Sequence, residues 1–122
     1  MSGTETLRSA TLTPLHWAGI ALALVTAAVH LVLGVGFLPH WMGAAFLAAT
    51  GGFLVGIWLV VTDRRRRLVY LLGIPFTGAQ IVFWYALNRP EGLDAIGAAD
   101  AIDKVAQAAL IVVLALLYAR AE

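Results

Sequence analysis

The 122-residue chain contains no cysteine, which excludes disulfide bonds, thiolate metal ligands and cysteine nucleophiles within it. Charged residues are also scarce, at 12% of the sequence, whereas soluble domains typically have about a quarter. Hydrophobic residues make up 61% of the chain, more than a core of this size can bury. The composition therefore predicts a lipid bilayer as the surrounding medium. The formal net charge of +1 indicates no nucleic-acid partner.

Four apolar segments are long enough to cross a bilayer, for which a helix needs about 20 residues. Thr13 and Pro14 are typical of a helix start, with threonine as the N-cap and proline in the first turn. The first apolar run is long and no small-residue cleavage site follows it, which favours a membrane span over a cleaved signal peptide. Asp100 is the predicted N-cap of the fourth helix. The predicted spans cover residues 14–38, 41–62, 68–87 and 101–119.

This pattern predicts one all-α domain over residues 14–120, an antiparallel bundle of four transmembrane helices. Residues 1–13 are expected to form a mobile polar tail. Leu38, Pro39 and His40 are expected to make a tight turn between the first two helices.

An arginine run between the second and third spans predicts the orientation, because arginine-rich loops stay on the cytoplasmic side. With this loop inside, both termini are cytoplasmic, and six of the eight basic residues lie on that side. The predicted location is the cell (inner or cytoplasmic) membrane, as a multi-pass protein. The arginines could also bind anionic lipid head groups, although a topology anchor explains them without further assumptions. The run consists of Asp63, Arg64, Arg65, Arg66 and Arg67.

Small residues recur at helical spacing in the spans and predict the helix-packing faces, since they let membrane helices approach closely. Gly19 and Ala23 belong to such a stripe in the first span, and Gly52 and Gly56 form a GxxxG pair in the second. Pro75 predicts a kink in the third helix. The kink is interpreted either as a tolerated bend or as a gating hinge.

Three polar residues on different helices are expected at similar depth in the outer half of the bundle: His30, Gln80 and Gln107. Asp103 and Lys104 are expected about one turn above them. Ionisable residues within a membrane are costly and often functional, so this polar layer is the candidate site. One hypothesis is that the layer only holds the helices in register. The other is that it binds a ligand, a proton or a substrate.

A haem site is a further hypothesis, because His16 and His30 are 14 residues apart and so about 21 Å apart along one helix face. This spacing is similar to that of the paired histidines in dihaem b-type cytochromes. No other span has a mid-helix histidine, so one chain could not supply two axial ligands, whereas a symmetric dimer could. No cofactor is predicted beyond this alternative, and no metal site.

Enzymatic activity is not predicted, because the chain has no HExxH motif, no nucleophile motif and no buried carboxylate pair. No catalytic residue is therefore assigned. The first span also lacks a carboxylate, which disfavours a proton-coupled exporter of the small multidrug-resistance type.

Short motifs in three parts of the chain resemble an uncharacterised family of small four-span membrane proteins from halophilic archaea. They are residues 29–34 with 37–39, residues 72–77 with Gln80, and residues 103–107. The resemblance implies a four-span fold and an archaeal source, and it implies no activity.

The sequence thus predicts an integral membrane protein with a structural or accessory role. It is expected to associate with itself or with a membrane complex in the bilayer. The alternative is a module that binds or transports a small molecule or ion at an outer-half site around His30, Gln80 and Gln107. A haem-carrying electron-transfer subunit is the third hypothesis.

Overall fold

The computed structural model describes residues 12–88 and 96–120, so most of the tail predicted for residues 1–13 lies outside the described part. The described residues form four α-helices and no strand, which confirms the all-α fold. Each helix is long and apolar enough to cross a membrane, the pattern of a multi-pass membrane protein. The helices are α1 Pro14–Phe37, α2 Trp41–Val61, α3 Arg66–Asn88 and α4 Ala98–Arg120.

The helix starts follow local capping chemistry. Thr13 is the N-cap of α1, as predicted, and its side chain and that of His16 form a reciprocal capping box over Pro14. Residues 38–40 form the predicted turn, in which the Leu38–Pro39 peptide is cis. His40 then caps α2 by accepting a hydrogen bond from the Met42 amide, with an N–N distance of 3.1 Å.

Two helices start earlier than predicted, and the four helix ends differ by one residue each. α4 begins at Ala98, so Asp100 lies in its first turn instead of at the N-cap. An acidic side chain there still complements the helix dipole. α3 begins at Arg66, so Arg66 and Arg67 belong to the helix, and only residues 62–65 connect it to α2.

α1 and α4 form the centre of the bundle. α1 packs against both α2 and α4, and α4 also packs against α3. The buried apolar core includes Ile20 and Ala27 of α1 and Leu110 and Leu117 of α4. α2 and α3 contact each other only sparsely, which leaves a cleft between them.

Glycines allow neighbouring helices to approach closely at several positions. A Cβ atom on Gly43 would lie 2.7 Å from the Gly34 carbonyl oxygen, so α1 and α2 meet there backbone to backbone. Gly19 faces α4, where an added Cβ would lie 3.2 Å from Val113 Cγ1. In α1, Ala23 is also buried. α1 thus uses separate faces for its two neighbours.

The GxxxG pair of α2 lies on the α3 side, along the cleft. A Cβ atom on Gly52 would lie 2.6 Å from Phe76 Cζ, and one on Gly56 would lie 3.7 Å from Val69 Cγ1. The Phe76 ring also contacts the Phe53 ring, with 5.1 Å between centroids. Phe76 follows Pro75, through which α3 continues as helix.

Two cavities lie along the bundle, and Phe53 and Phe76 line one of them. We call the one toward the 38–40 turn the outer cavity and the one toward the arginine run the inner cavity, following the predicted orientation. Their volumes are ≈ 330 Å³ and ≈ 270 Å³. The outer cavity carries the polar residues of the candidate site, whereas the inner cavity is almost wholly apolar.

Candidate functional site in the outer half of the bundle

Asp103 is the centre of a polar cluster that joins α1 to α4. The residue as a whole is only 3% exposed. One of its oxygens, Oδ1, accepts a hydrogen bond from the Thr26 hydroxyl and lies 3.6 Å from His30 Nδ1. The other, Oδ2, accepts a hydrogen bond from Lys104 Nζ at 2.8 Å. A buried carboxylate is thereby neutralised by an adjacent ammonium group, as burial of a charge requires.

The position of His30 is determined by the helix turn before it. Its Nδ1 lies 2.8 Å from the Thr26 carbonyl oxygen, which can only accept a hydrogen bond. Nδ1 therefore carries a hydrogen, and in the neutral ring Nε2 has the free lone pair. The ring packs against Phe46 and Phe53 of α2, with centroid distances of 5.0 and 5.9 Å.

Lys104 extends the cluster toward α3. Its Nζ donates to Gln107 Oε1 at 2.9 Å and lies 5.5 Å from the centre of the Trp84 ring. The wholly buried Gln107 in turn donates to Gln80 Oε1 at 2.8 Å, and Gln80 donates to the Phe76 carbonyl at 3.1 Å. One chain of polar contacts therefore runs from α1 through α4 to α3.

All five residues proposed for the polar layer thus belong to one network. Their similar depths did not predict which of them would be partners. His30 meets Asp103 of α4, whereas Gln80 and Gln107 pair with each other. Thr26 is an additional member that was not predicted to belong to the polar layer. Its position four residues before His30, on the same helix face, was the available signal.

The network forms one side of the outer cavity. His30, Gln80, Asp103 and Lys104 line it, together with Asp100 in the first turn of α4. The indole Nε1 of Trp84 is buried and has no hydrogen-bond partner among the described residues. Aromatic rings form much of the remaining wall: Trp41, Phe46, Phe83 and Trp84.

The three histidines lie in separate places. His16 caps α1 at the arginine end, His30 lies beside the outer cavity, and His40 caps α2. Over residues 12–88 and 96–120, no group of three or more histidine, aspartate or glutamate side chains could hold a metal ion. His16 lines the inner cavity and His30 lines the outer one, so each cavity has a single histidine among the described residues that could serve as an axial ligand.

A family model matches nearly the whole chain, over residues 2–118. The chain belongs to the family of unknown function DUF7475. No curated protein and no solved structure shows significant similarity to it. Membership in this family assigns no activity, so a functional hypothesis for this DUF7475 protein depends on the geometry described above.

The Gln80–Gln107 pair offers a direct measure of how strongly the polar layer ties α3 to α4. We expect Gln80→Leu and Gln107→Leu to be coupled by about 0.6 kcal/mol, the average for hydrogen bonds between membrane helices. The coupling is measured as a double-mutant cycle of unfolding free energies in mixed micelles. Additive effects of the two substitutions would show that this bond contributes nothing to the stability of the bundle.

Proposed function

We propose that this chain is a multi-pass protein of the cytoplasmic membrane that binds a small organic cation in its outer cavity. The observation that carries this proposal is the meeting of buried ionisable side chains with aromatic walls in a cavity of ≈ 330 Å³. Cavities of this size, with mostly apolar walls and a few convergent polar groups, are the usual form of small-molecule sites. Ionisable residues at membrane depth also favour a functional role.

The charges of the outer cavity favour a cation over an anion. Two carboxylates, Asp100 and Asp103, line it together with one ammonium group, that of Lys104. Among the described lining residues the formal charge is therefore −1 when His30 is neutral. Aromatic faces add attraction for a cation, since their ring quadrupoles are negative above the ring. Lys104 already uses the Trp84 face in this way.

Asp100 is the side chain that best tests the proposal. It lines the outer cavity but makes no ion pair with a described residue, so its removal leaves the Asp103 network intact. We expect Asp100→Asn to weaken binding of tetraethylammonium, used as the probe, about fivefold, the effect of one nearby carboxylate in a hydrated site. Binding is measured by isothermal titration calorimetry of the detergent-solubilised chain.

Asp63→Asn is the matched control, because Asp63 is at the opposite end of the bundle and asparagine tolerates its positive φ of 55°. This variant should bind tetraethylammonium like the wild-type chain. Equal affinities of the Asp100→Asn and wild-type proteins, or no binding by either, would contradict a cation site in the outer cavity.

A structural or accessory subunit is the second candidate, and one observation favours it specifically. The Asp103 network is satisfied by the protein's own groups, from Thr26 through Lys104 to Gln80. Such a network can hold three helices in register without any ligand. In this role the protein would associate with further copies or with a membrane complex through its lipid-facing surfaces. Absence of cation binding with a stable oligomer in detergent would support this candidate.

The orientation belongs to the same proposal, with the arginine run and both termini in the cytoplasm. It is supported by the distribution of basic residues and tested by the accessibility of cysteines introduced at Ser2 and Gly97.

A haem role has the least support, since one chain brings a single histidine to the outer cavity. A visible spectrum of the purified protein without a Soret band would remove it.

A further inference from the structure

The inner cavity and the arginine run lie next to each other, and neither is used by the proposed cation site. The cavity occupies the cleft between α2 and α3 over Gly52–Val60 of α2 and Val69–Thr77 of α3. Each range spans about 12 Å along its helix. This length is close to the depth of one leaflet, which is half of a hydrocarbon core of about 30 Å.

The walls of the inner cavity suit a hydrocarbon chain. Apolar side chains form nearly all of them, together with four glycines, Gly19, Gly52, Gly56 and Gly73. At Gly56 the absent side chain leaves room, since an added Cβ would lie 3.7 Å from the nearest neighbouring atom. The volume is ≈ 270 Å³, and apolar walls of this kind offer water few hydrogen-bond partners. Sparse contacts between α2 and α3 leave the cleft open to a chain entering from the bilayer.

The arginine run covers the end of this cavity through direct bonds. The Arg64 amide donates to the Leu59 carbonyl at 2.8 Å, and Arg66 Nε donates to the Val60 carbonyl at 2.8 Å. Leu59 and Val60 are the last α2 residues that line the cavity. A head group above the cavity would therefore lie among the arginines.

Two of these arginines retain donors for a ligand. The side chains of Arg64 and Arg65 are exposed, and neither guanidinium group hydrogen-bonds a residue within 12–88 or 96–120. Arg64 stacks on the Trp58 ring, 5.3 Å from its centroid, an arrangement that leaves the edge of its guanidinium group accessible. Guanidinium groups bind phosphate oxygens in bidentate geometry.

A hydroxyl group lies at the level where the ester linkage of such a lipid would be found. Tyr70 lines the inner cavity one helical turn after Arg66 and is 2% exposed. Its hydroxyl has no hydrogen-bond partner among the described residues. A buried hydroxyl without a partner costs free energy, which a hydrogen bond to a ligand carbonyl would offset.

We propose that the inner cavity binds one hydrocarbon chain of an anionic phospholipid, whose phosphate is held by Arg64 and Arg65 and whose ester carbonyl accepts the Tyr70 hydroxyl. This site is separate from the outer cavity and does not depend on the cation proposal. It also does not depend on the orientation, since the cavity and the arginines are at the same end of the bundle. The lipid would fill the cleft that α2 and α3 leave open.

The test measures lipid retained by the full chain after purification in detergent with equimolar phosphatidylglycerol and phosphatidylcholine. Native mass spectrometry counts the bound molecules. We expect one phosphatidylglycerol per chain, preferred over phosphatidylcholine. The double variant Arg64→Gln/Arg65→Gln should lower this preference, by about fivefold for each arginine removed. Equal retention of the two lipids by the wild-type chain would overturn the proposal without any variant.

Gly56→Leu tests the cavity itself. Its Cβ atom has room, with Val69 Cγ1 at 3.7 Å, and the rest of the leucine side chain would fill the cavity. Gly51→Leu is the matched control on the same helix, because an added Cβ there meets nothing within 4 Å. We expect Gly56→Leu to abolish phosphatidylglycerol retention and Gly51→Leu to preserve it. Equal retention by the two variants would overturn the proposal. If Gly56→Leu fails to fold, Tyr70→Phe is the second test. It keeps the ring and removes the hydroxyl group, and it should reduce phosphatidylglycerol retention.

Discussion

Asp103→Ala is expected to lower the free energy of unfolding by about 3 kcal/mol, because it leaves the partly buried Lys104 ammonium without its carboxylate. The side chains of Asp103 and Lys104 are only 4% and 16% exposed, and their oxygen and nitrogen are 2.8 Å apart. The substitution also removes the acceptor of the Thr26 hydroxyl. Unfolding by denaturing detergent in mixed micelles, followed by circular dichroism, measures the change.

A second variant separates the loss of a charge partner from the loss of packing. Asp103→Asn/Lys104→Met removes both charges while keeping side chains of similar length. Since removal of both partners of an ion pair costs much less than removal of one, this double variant should recover most of the lost stability. If it is as unstable as Asp103→Ala, the pair does not contribute through its charges.

Gly43→Ala is expected to destabilise the bundle by about 2 kcal/mol, within the range for overpacking of a closely fitted contact. The added methyl group would lie 2.7 Å from the Gly34 carbonyl oxygen and 2.9 Å from the Leu38 amide nitrogen. Both are backbone atoms, so α1 and α2 would have to separate to admit it. Because both helices line the outer cavity, their separation should also change the shape of that cavity.

Gly36→Ala is the control for that prediction. An alanine there meets nothing within 4 Å, and in a helix it is favoured over glycine by about 1 kcal/mol. We therefore expect Gly36→Ala to leave the midpoint of unfolding unchanged or to raise it. A loss of stability in both variants would show that flexibility near the end of α1, not the close approach at Gly43, is what matters.

In the candidate site, the sequence predicts the depth of the polar residues but not which of them contact each other. Depth along each helix follows from a rise of about 1.5 Å per residue, so the sequence places His30, Gln80 and Gln107 at one level. Depth does not specify which helix stands next to which. The contact between His30 and Asp103 exists because α4, not α3, packs against α1.

Some of the helix-packing residues could likewise be predicted from the sequence, and others could not. Gly19, Gly52 and Gly56 stand out at helical spacing, and each faces a neighbouring helix. A backbone-to-backbone approach is instead found between Gly34 and Gly43, which flank the 38–40 turn. These two glycines belong to different helices, so they form no repeating pattern along the sequence. Only the structure, in which they approach each other across the turn, reveals their contact.

The sequence alone determined the features that depend on local chemistry and on composition. Four apolar runs of bilayer length, with Thr13 before Pro14 and the turn at residues 38–40, lead to four helices because these signals act within a few residues. Only the tertiary structure decided that α2 and α3 remain apart and leave two cavities between them. The physical reason is that apolar helices in lipid gain no hydrophobic free energy from any particular neighbour, so close contacts at small residues select the partners.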